Sequence, residues 1–118
     1  MDFNGKVAII TGSGRGIGFE IAKSLAKHGC SIVISDIDQE ICENAAKNID
    51  VETGVEVFAL KANVTKMEEV ENLIKKTQEK FGRIDILINN AGITKDNLLL
   101  RLSPEDWSKV IDVNLNSV

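Results

Sequence analysis

Short runs of consecutive apolar residues alternate along the chain with longer stretches in which apolar residues recur every three or four positions. The short runs are rich in β-branched residues and predict strands that are buried on both faces. The periodic stretches predict amphipathic helices. We place the strands at residues 6–11, 31–35, 55–61 and 84–88, and the first three helices at residues 16–28, 38–48 and 65–81.

Residues at the helix ends support this assignment. Gly29 and Gly82 can take the left-handed conformation that ends a helix, and Asp38 can cap the second helix. Thr65 and Glu68 have the spacing of a capping box for the third helix. The faces expected to pack inward are Ile17, Ile21, Ala22, Leu25 and Ala26 in the first helix, Ile41, Ala45, Ala46 and Ile49 in the second, and Val70, Leu73, Ile74, Thr77 and Phe81 in the third.

A fourth helix is predicted from the Ser-Pro-Glu-Asp segment at residues 103–106, a strong helix-start signal. Its inward residues would include Trp107, Val110, Ile111, Asn114 and Leu115. Asn114 has two interpretations, since a buried amide must find hydrogen-bond partners. It either bonds a neighbouring backbone group, which periodicity alone favours, or holds a catalytic side chain or water.

The alternation of strands and helices predicts an α/β fold with a parallel, doubly wound sheet. Right-handed crossovers give the strand order 3-2-1-4. Ligands of such sheets bind outside the carboxyl ends of the strands, where the winding reverses. That point lies here between strands one and four.

A glycine-rich turn joins the first strand to the first helix and contains four glycines in seven residues, 12–18. Unpaired N–H groups and the helix dipole favour an anion at such a helix start. The spacing departs from the common G-x-G-x-x-G fingerprint, because Ile17 stands where its third glycine would be. A turn without a ligand is the weaker alternative.

The ends of the second and third strands carry further candidate residues. Asp36 can accept the ribose hydroxyls of an adenosine and would repel a 2′-phosphate, which favours NAD over NADP. Arg15 could instead hold a 2′-phosphate, or it is a solvated loop cation. Asn63 could pair with an adenine edge or form an Asx turn that leads to Thr65.

Composition narrows the class of protein. The chain has 118 residues, 43 % hydrophobic and 27 % charged, which fits one soluble globular domain. A net charge of -4 gives no basic surface for nucleic acid or anionic membrane, and neither a signal peptide nor a metal site is expected. Cys30 and Cys42 lack metal or redox spacing, so we interpret them as reduced residues of a cytoplasmic protein.

The joint pattern resembles the short-chain dehydrogenase/reductase family, whose fold is of the Rossmann type. The matching residues are Thr11-Gly12-x-x-x-Gly16-Ile17-Gly18, Asn63-Val64, Asn89-Asn90-Ala91-Gly92 and Asn114. Within the family, residues 92–107 and 110–118 look like the 3-oxoacyl-acyl-carrier-protein reductases. The resemblance implies a nicotinamide-dependent enzyme that reduces a 3-oxoacyl thioester to the 3-hydroxyacyl product by hydride transfer.

The resemblance also implies a role for each matching residue. The glycine turn would line the pyrophosphate, Asp36 the adenine ribose, and Asn114 would be the asparagine of the catalytic tetrad. The cofactor would be NAD(H) because of Asp36, with NADP(H) possible through Arg15. The residues expected to bind it are Gly12, Ser13, Arg15, Gly16, Ile17, Gly18, Asp36, Asn63, Val64, Asn90, Ala91 and Gly92.

The family's chemistry also needs a serine, a tyrosine and a lysine from further along such a chain, and the sequence contains no tyrosine. We therefore interpret residues 1–118 as the dinucleotide-binding portion of a single-domain enzyme of about 250 residues, by fold analogy. The portion alone is expected to be inactive and to leave an unpaired edge on strand four. The resemblance further implies a dimer or tetramer formed through the last helix.

Two alternatives remain at this stage. One is an NAD-dependent alcohol or hydroxyacyl dehydrogenase of the same family, which Asp36 favours. The other is a dinucleotide-binding sensor without catalytic activity.

Overall fold

The computed structural model describes residues 3–89 and 111–114, with side chains described for residues 3–88. In chain order the elements are β1 (Val7–Thr11), α1 (Gly16–Lys27), β2 (Ser31–Ser35), α2 (Gln39–Thr53), β3 (Val57–Ala59), α3 (Met67–Phe81), β4 (Ile86–Asn89) and β5 (Ile111–Asn114). The predictions for Asn90, Ala91, Gly92 and the helix start at Ser103 lie outside the described residues.

The strands form one parallel sheet in the order β3-β2-β1-β4-β5. The predicted order 3-2-1-4 and the doubly wound α/β fold are confirmed. Thr11 at the end of β1 pairs with Ser35 of β2 on one side and with Asn89 of β4 on the other. The central strands therefore end level with one another, and the loops that follow them start from the same edge.

Residues 111–114 form a strand, which corrects the prediction of a helix carrying Ile111 and Asn114. β5 lies parallel to β4, with Ile111 opposite Ile86 and Asn114 opposite Asn89. The β-branched Ile111 and Val113 alternate with Asp112 and Asn114, and a period of two suits a strand. The prediction of an unpaired edge on strand four is also wrong, because β5 pairs with it.

Apolar side chains cover both faces of the sheet. On one face Ile10 and Ile34 pack with residues of α1 and α2 that include Ala22 and Ile49. On the opposite face, Ile9, Val33 and Leu87 pack with Val70, Leu73 and Ile74 of α3. Alternate residues of β1 and β2 thus enter different clusters, so these strands need apolar residues at every position.

The predicted inward faces of α2 and α3 are largely confirmed, with Ala45, Ala46, Ile49, Val70, Leu73, Ile74 and Thr77 all buried. The inward face of the first helix differs from the prediction at the start of the helix. Ile17 is 65 % exposed, whereas Gly18, Ala22 and Ala26 are the buried residues of α1. The helical spacing of Ile17 is therefore coincidental, and its side chain points away from the core.

The start of α2 follows the predicted chemistry, but its end, predicted at residue 48, lies at Thr53, and the start of α3 also differs from the prediction. Asp38 caps α2 by accepting from the N–H groups of Glu40 and Ile41, and α2 continues to Gly54, in the left-handed conformation. The capping box expected from Thr65 is absent: α3 begins after Lys66, which makes no side-chain cap hydrogen bond. The Thr65 hydroxyl donates to Asn63 instead. No helix within residues 3–89 combines the length and apolar character needed to cross a membrane.

Candidate functional site

The turn between β1 and α1 leaves the start of α1 open to an anion. Gly12 and Gly16 have φ angles of 63° and 64°, a region that favours glycine and allows the chain to reverse sharply. The N-cap residue Arg15 makes no side-chain cap hydrogen bond, and the first turn of α1 contains no acidic residue. The N–H groups of that turn therefore present positive potential to a phosphate.

Ser13 fixes this turn to the end of β2. Its hydroxyl donates to the Ile10 carbonyl over 2.6 Å and accepts from the Ser35 N–H over 3.0 Å. The Ser13 N–H donates to the Ser35 carbonyl. Since Ser13 is fully buried, its side chain holds the loop in place, and any contact with a cofactor would come from its neighbours.

Asp36 lies directly beside the glycine turn. Its Oδ2 accepts from the Gly14 N–H over 3.0 Å, and its Oδ1 accepts from the Ile37 N–H over 2.8 Å. A Cβ on Gly14 would lie 2.9 Å from Asp36 Oδ2 and would overlap the Cγ2 methyl of Ile41. Only glycine fits between these side chains, so the absence of a side chain at position 14 lets the carboxylate approach the turn.

A cavity of about 190 Å³ opens next to Asp36 and combines residues from three strand ends. Its lining contains an apolar wall and a small set of polar groups, the usual character of a ligand site. The lining residues are Gly12, Asp36, Ile37, Ala62, Asn63, Val64 and Thr65.

Asn63 in this cavity forms the Asx turn that was one of its two predicted roles. Its Oδ1 accepts from the Thr65 N–H over 3.0 Å and from the Thr65 hydroxyl over 2.6 Å. Because Asn63 also lines the cavity, the turn does not exclude the second role, an adenine contact. Sequence reasoning missed Thr65 and Ile37 here. The sequence signal for Ile37 was an apolar residue directly after the acid that ends a strand.

Arg15 occupies a different place. It lines a shallow groove of about 450 Å³ between α1 and α2, together with Gly14, Phe19 and Ile41. Gly14 separates this groove from the Asp36 carboxylate, since its N–H donates to Asp36. Arg15 is exposed, and an exposed cation is compatible with both of its predicted roles, phosphate contact and solvated cation. Both therefore remain predictions.

The backbone of Asn114 lies at the same sheet edge as the glycine turn. It pairs with Asn89, which in turn pairs with Thr11. The structure thus places position 114 near the predicted site, although on a strand. Its catalytic role stays a prediction, as do the cofactor contacts of Asn90, Ala91 and Gly92.

Of the two cysteines with shifted pKa values, Cys30 lies at the opposite end of the sheet, whereas the Cys42 thiol donates to the Asp36 carbonyl. Burial raises the pKa of the Cys30 and Cys42 thiols to about 11, and both cysteines are free. No group of three or more His, Cys, Asp or Glu residues within the described parts of the chain could hold a metal ion.

An open helix start, a carboxylate beside it and a cavity at the neighbouring strand ends fit a dinucleotide in an extended conformation. The family model for short chain dehydrogenases matches residues 6–118, and the chain belongs to that family of NAD(P)-dependent oxidoreductases.

Within this family, the chain is similar to 3-oxoacyl-[acyl-carrier-protein] reductases. The chain is 45 % identical over 113 residues to the 3-oxoacyl-[acyl-carrier-protein] reductase FabG of Chlamydia muridarum, covering 96 % of this chain and 46 % of that protein. It is 43 % identical over all 118 residues to the same reductase of Escherichia coli K12, covering 47 % of that protein. The chain therefore spans about half the length of the curated relatives it matches.

Solved structures agree on the Rossmann-type fold. An NAD⁺-bound xylitol dehydrogenase is 39 % identical with a TM-score of 0.74, covering 79 % of this chain and 35 % of that one. An L-sorbose reductase from Gluconobacter frateurii, complexed with NADPH and L-sorbose, is 35 % identical with a TM-score of 0.75. That alignment covers 90 % of this chain and 40 % of the reductase.

Proposed function

We propose that the protein carrying this chain reduces a 3-oxoacyl thioester on an acyl carrier protein to the 3-hydroxyacyl product, and that residues 1–118 hold its nicotinamide cofactor. The observation that carries the cofactor assignment is Asp36 hydrogen-bonded to Gly14 beside the open start of α1. The substrate assignment is supported by the similarity to 3-oxoacyl-[acyl-carrier-protein] reductases over essentially the whole chain.

Different residues of the site bind different parts of the dinucleotide. The first N–H groups of α1 hold the pyrophosphate, since the turn at Gly12 and Gly16 exposes them. Asp36 accepts the ribose hydroxyls, and the cavity beside Asn63 and Val64 holds the adenine. The bound cofactor supplies the hydride, while Asn114 would hold a water in the proton relay.

NAD(H) is the favoured cofactor. Two backbone N–H groups hold the Asp36 carboxylate in a fixed orientation, and a fixed negative charge would oppose a 2′-phosphate. NADP(H) is the alternative, with Arg15 as its phosphate ligand. The similar structures include both an NAD⁺-bound and an NADPH-complexed enzyme.

A second candidate function is an NAD-dependent alcohol or hydroxyacyl dehydrogenase. Asp36 favours it, and similar structures include a xylitol dehydrogenase and a hydroxysteroid dehydrogenase from Escherichia coli. A non-catalytic dinucleotide sensor is the third candidate. In every case we propose a cytoplasmic homo-oligomer, dimeric or tetrameric, with no membrane or nucleic-acid partner.

Steady-state assays of the full-length protein separate these candidates. We expect oxidation of NADH or NADPH with a 3-oxoacyl thioester, at a kcat/KM well above the values for secondary alcohols with NAD⁺. The reverse ranking would favour the dehydrogenase. Dinucleotide binding without turnover would favour the sensor. Residues 1–118 alone are expected to show no turnover, so robust activity of that portion would contradict the proposed division of the site.

A further inference from the structure

The amide of Asn63 has a fixed orientation. Its Oδ1 accepts two hydrogen bonds from Thr65, one from the backbone N–H over 3.0 Å and one from the hydroxyl over 2.6 Å. A backbone N–H can only donate, so the atom that faces it must be the amide oxygen and not the nitrogen. The Nδ2 group makes no hydrogen bond to the residues that the structure describes.

The backbone around Asn63 is held as firmly as its side chain. The Asn63 N–H donates to Glu69 Oε1 over 2.8 Å, and its carbonyl accepts from the Lys66 N–H over 3.0 Å. On the preceding side, the Ala62 N–H donates to the Asp36 carbonyl over 2.9 Å. These three contacts tie the Asx turn to α3 and to the end of β2. Because the backbone is held in this way, the Asn63 amide can rotate only by breaking its hydrogen bonds to Thr65.

The cavity beside this amide suits a flat heteroaromatic ring. Ile37, which is 55 % exposed, and Val64 supply apolar surface at its mouth, and Thr65 has its hydroxyl committed to Asn63. Asn63 lines the same cavity, and its Nδ2 group is a donor that lacks a described partner. An acceptor on the bound base would pair with it, whereas an amino group would meet another donor.

We propose that Thr65 is a positioning residue that makes Asn63 a hydrogen-bond donor toward the purine, so that the site reads an acceptor on the edge of the base. This inference rests on the proposed dinucleotide function. A base with a 6-carbonyl satisfies the donor as well as, or better than, one with a 6-amino group. An aspartate at position 63 would reverse that preference, because a carboxylate only accepts.

The test compares NADH with its deaminated analogue, nicotinamide hypoxanthine dinucleotide in reduced form, by equilibrium binding to the full-length protein. We expect the Kd ratio of analogue to NADH to be at or below about one in the wild type. In Asn63→Asp the ratio should rise by about tenfold, the effect of one mispaired hydrogen bond. A wild-type ratio clearly above one, or an unchanged ratio in Asn63→Asp, overturns the inference.

Variants at Thr65 test the positioning role itself. Thr65→Val keeps the backbone N–H but removes the hydroxyl, so the ratio should move part of the way toward that of Asn63→Asp. Thr65→Ser restores the hydroxyl and should keep the wild-type ratio. Thr53→Val is the matched control, since Thr53 bonds Ile49 and Val55 away from the cavity. If Thr65→Val leaves the Kd ratio unchanged, with or without weaker binding of both dinucleotides, Thr65 is not a positioning residue and the inference fails.

The same measurements separate this inference from the function on which it rests. Dinucleotide binding with the wrong base preference overturns the role of Asn63 and Thr65 alone. Failure of NADH, its deaminated analogue and NADPH all to bind overturns the proposed function, and this inference with it.

Discussion

The Gly14 N–H donates to Asp36 Oδ2 over 3.0 Å, and the carboxylate approaches so closely that position 14 has no room for a Cβ. The other side of Gly14 is closed by Ile41, a residue of the first turn of α2. Three elements therefore meet at this glycine: the β1–α1 turn, the end of β2 and the start of α2.

Gly14→Ala is expected to destabilise the protein and displace Asp36. The new Cβ would overlap Ile41 and crowd the carboxylate, and overpacking of this kind costs about 1–3 kcal/mol. We expect a lower free energy of unfolding in urea and weaker NADH binding. Adding Ile41→Ala should recover part of the lost stability, because the methyl that the Cβ meets is gone.

Gly16→Ala provides the contrasting control. A Cβ there meets nothing within 4 Å, but the φ of 64° penalises any other residue by about 1–2 kcal/mol. Ile41→Ala should therefore give no recovery in Gly16→Ala. Equal recovery in both backgrounds would contradict a specific contact between Gly14 and Ile41.

Asp36→Asn should shift cofactor preference toward NADPH. Asparagine keeps the size of the side chain and one oxygen for the Gly14 N–H, but it removes the acceptor of the Ile37 N–H and the charge that opposes a 2′-phosphate. We expect the Kd ratio of NADPH to NADH to fall by about tenfold or more. Repulsion between two close like charges near a protein surface amounts to about 4 kcal/mol, which is enough for such a change. Asp38→Asn removes a neighbouring charge and keeps the α2 cap, so it should leave the ratio unchanged.

The sequence predicts the central fold well because the central strands carry unbroken apolar runs and the helices carry periodic apolar stripes. β1 and β2 contain unbroken apolar runs, and α2 and α3 have apolar stripes that pack as predicted. Residues 111–114 fit both a helical and a strand pattern. Ile111 and Asn114 are three positions apart, as on one face of a helix, and apolar and polar residues also alternate through the segment, as in a strand. Pairing with β4 decides in favour of the strand, and that contact is not local.

The candidate site was predictable only in part. Asp36 and Asn63 stand out because polar residues end apolar strands, and the structure brings both to one cavity. Ile17 was misassigned because helical spacing cannot tell the first turn of α1 from its core-facing turns. The fit of Gly14 between Ile41 and Asp36 depends on how α2 packs, which no local pattern encodes.

Cys30 and Cys42 should be almost unreactive in the folded protein. Burial is the main cause that raises the pKa of each thiol to about 11, so only about one thiol in a thousand is ionised near pH 8. We expect slow labelling by iodoacetamide in native buffer and rapid labelling of both cysteines in denaturant, measured by intact mass. Rapid labelling of the native protein would contradict their burial.

A buried carboxylate with a charged partner lies directly before β4. Asp85 accepts from Arg83 Nε over 2.7 Å, from Arg83 Nη2 over 2.6 Å and from the Val7 N–H over 2.9 Å. Burial alone would raise the pKa of Asp85, but the hydrogen bonds from Arg83 and Val7 outweigh it and hold the pKa below its usual value. The contact joins β1 to β4 at the end of the sheet opposite the cofactor site.

This lowered pKa predicts how stability depends on pH. The folded state binds the Asp85 proton less readily than the unfolded state, whose pKa is about 3.9. The stabilisation is therefore fully present above about pH 4 and is lost as the pH falls through the folded-state value. Asp85→Asn should lower the free energy of unfolding by about 1–3 kcal/mol at neutral pH, because the Val7 and Arg83 donors lose their charged acceptor.

Urea unfolding from pH 2 to pH 7 checks both parts of this prediction. The difference in unfolding free energy between wild type and Asp85→Asn should be constant at neutral pH and shrink below about pH 4. Asp50→Asn, on the exposed surface of α2, is the control and should follow the wild-type curve closely. A difference that persists undiminished at the lowest pH would show that Asp85 stabilises the sheet through its shape and not through its charge.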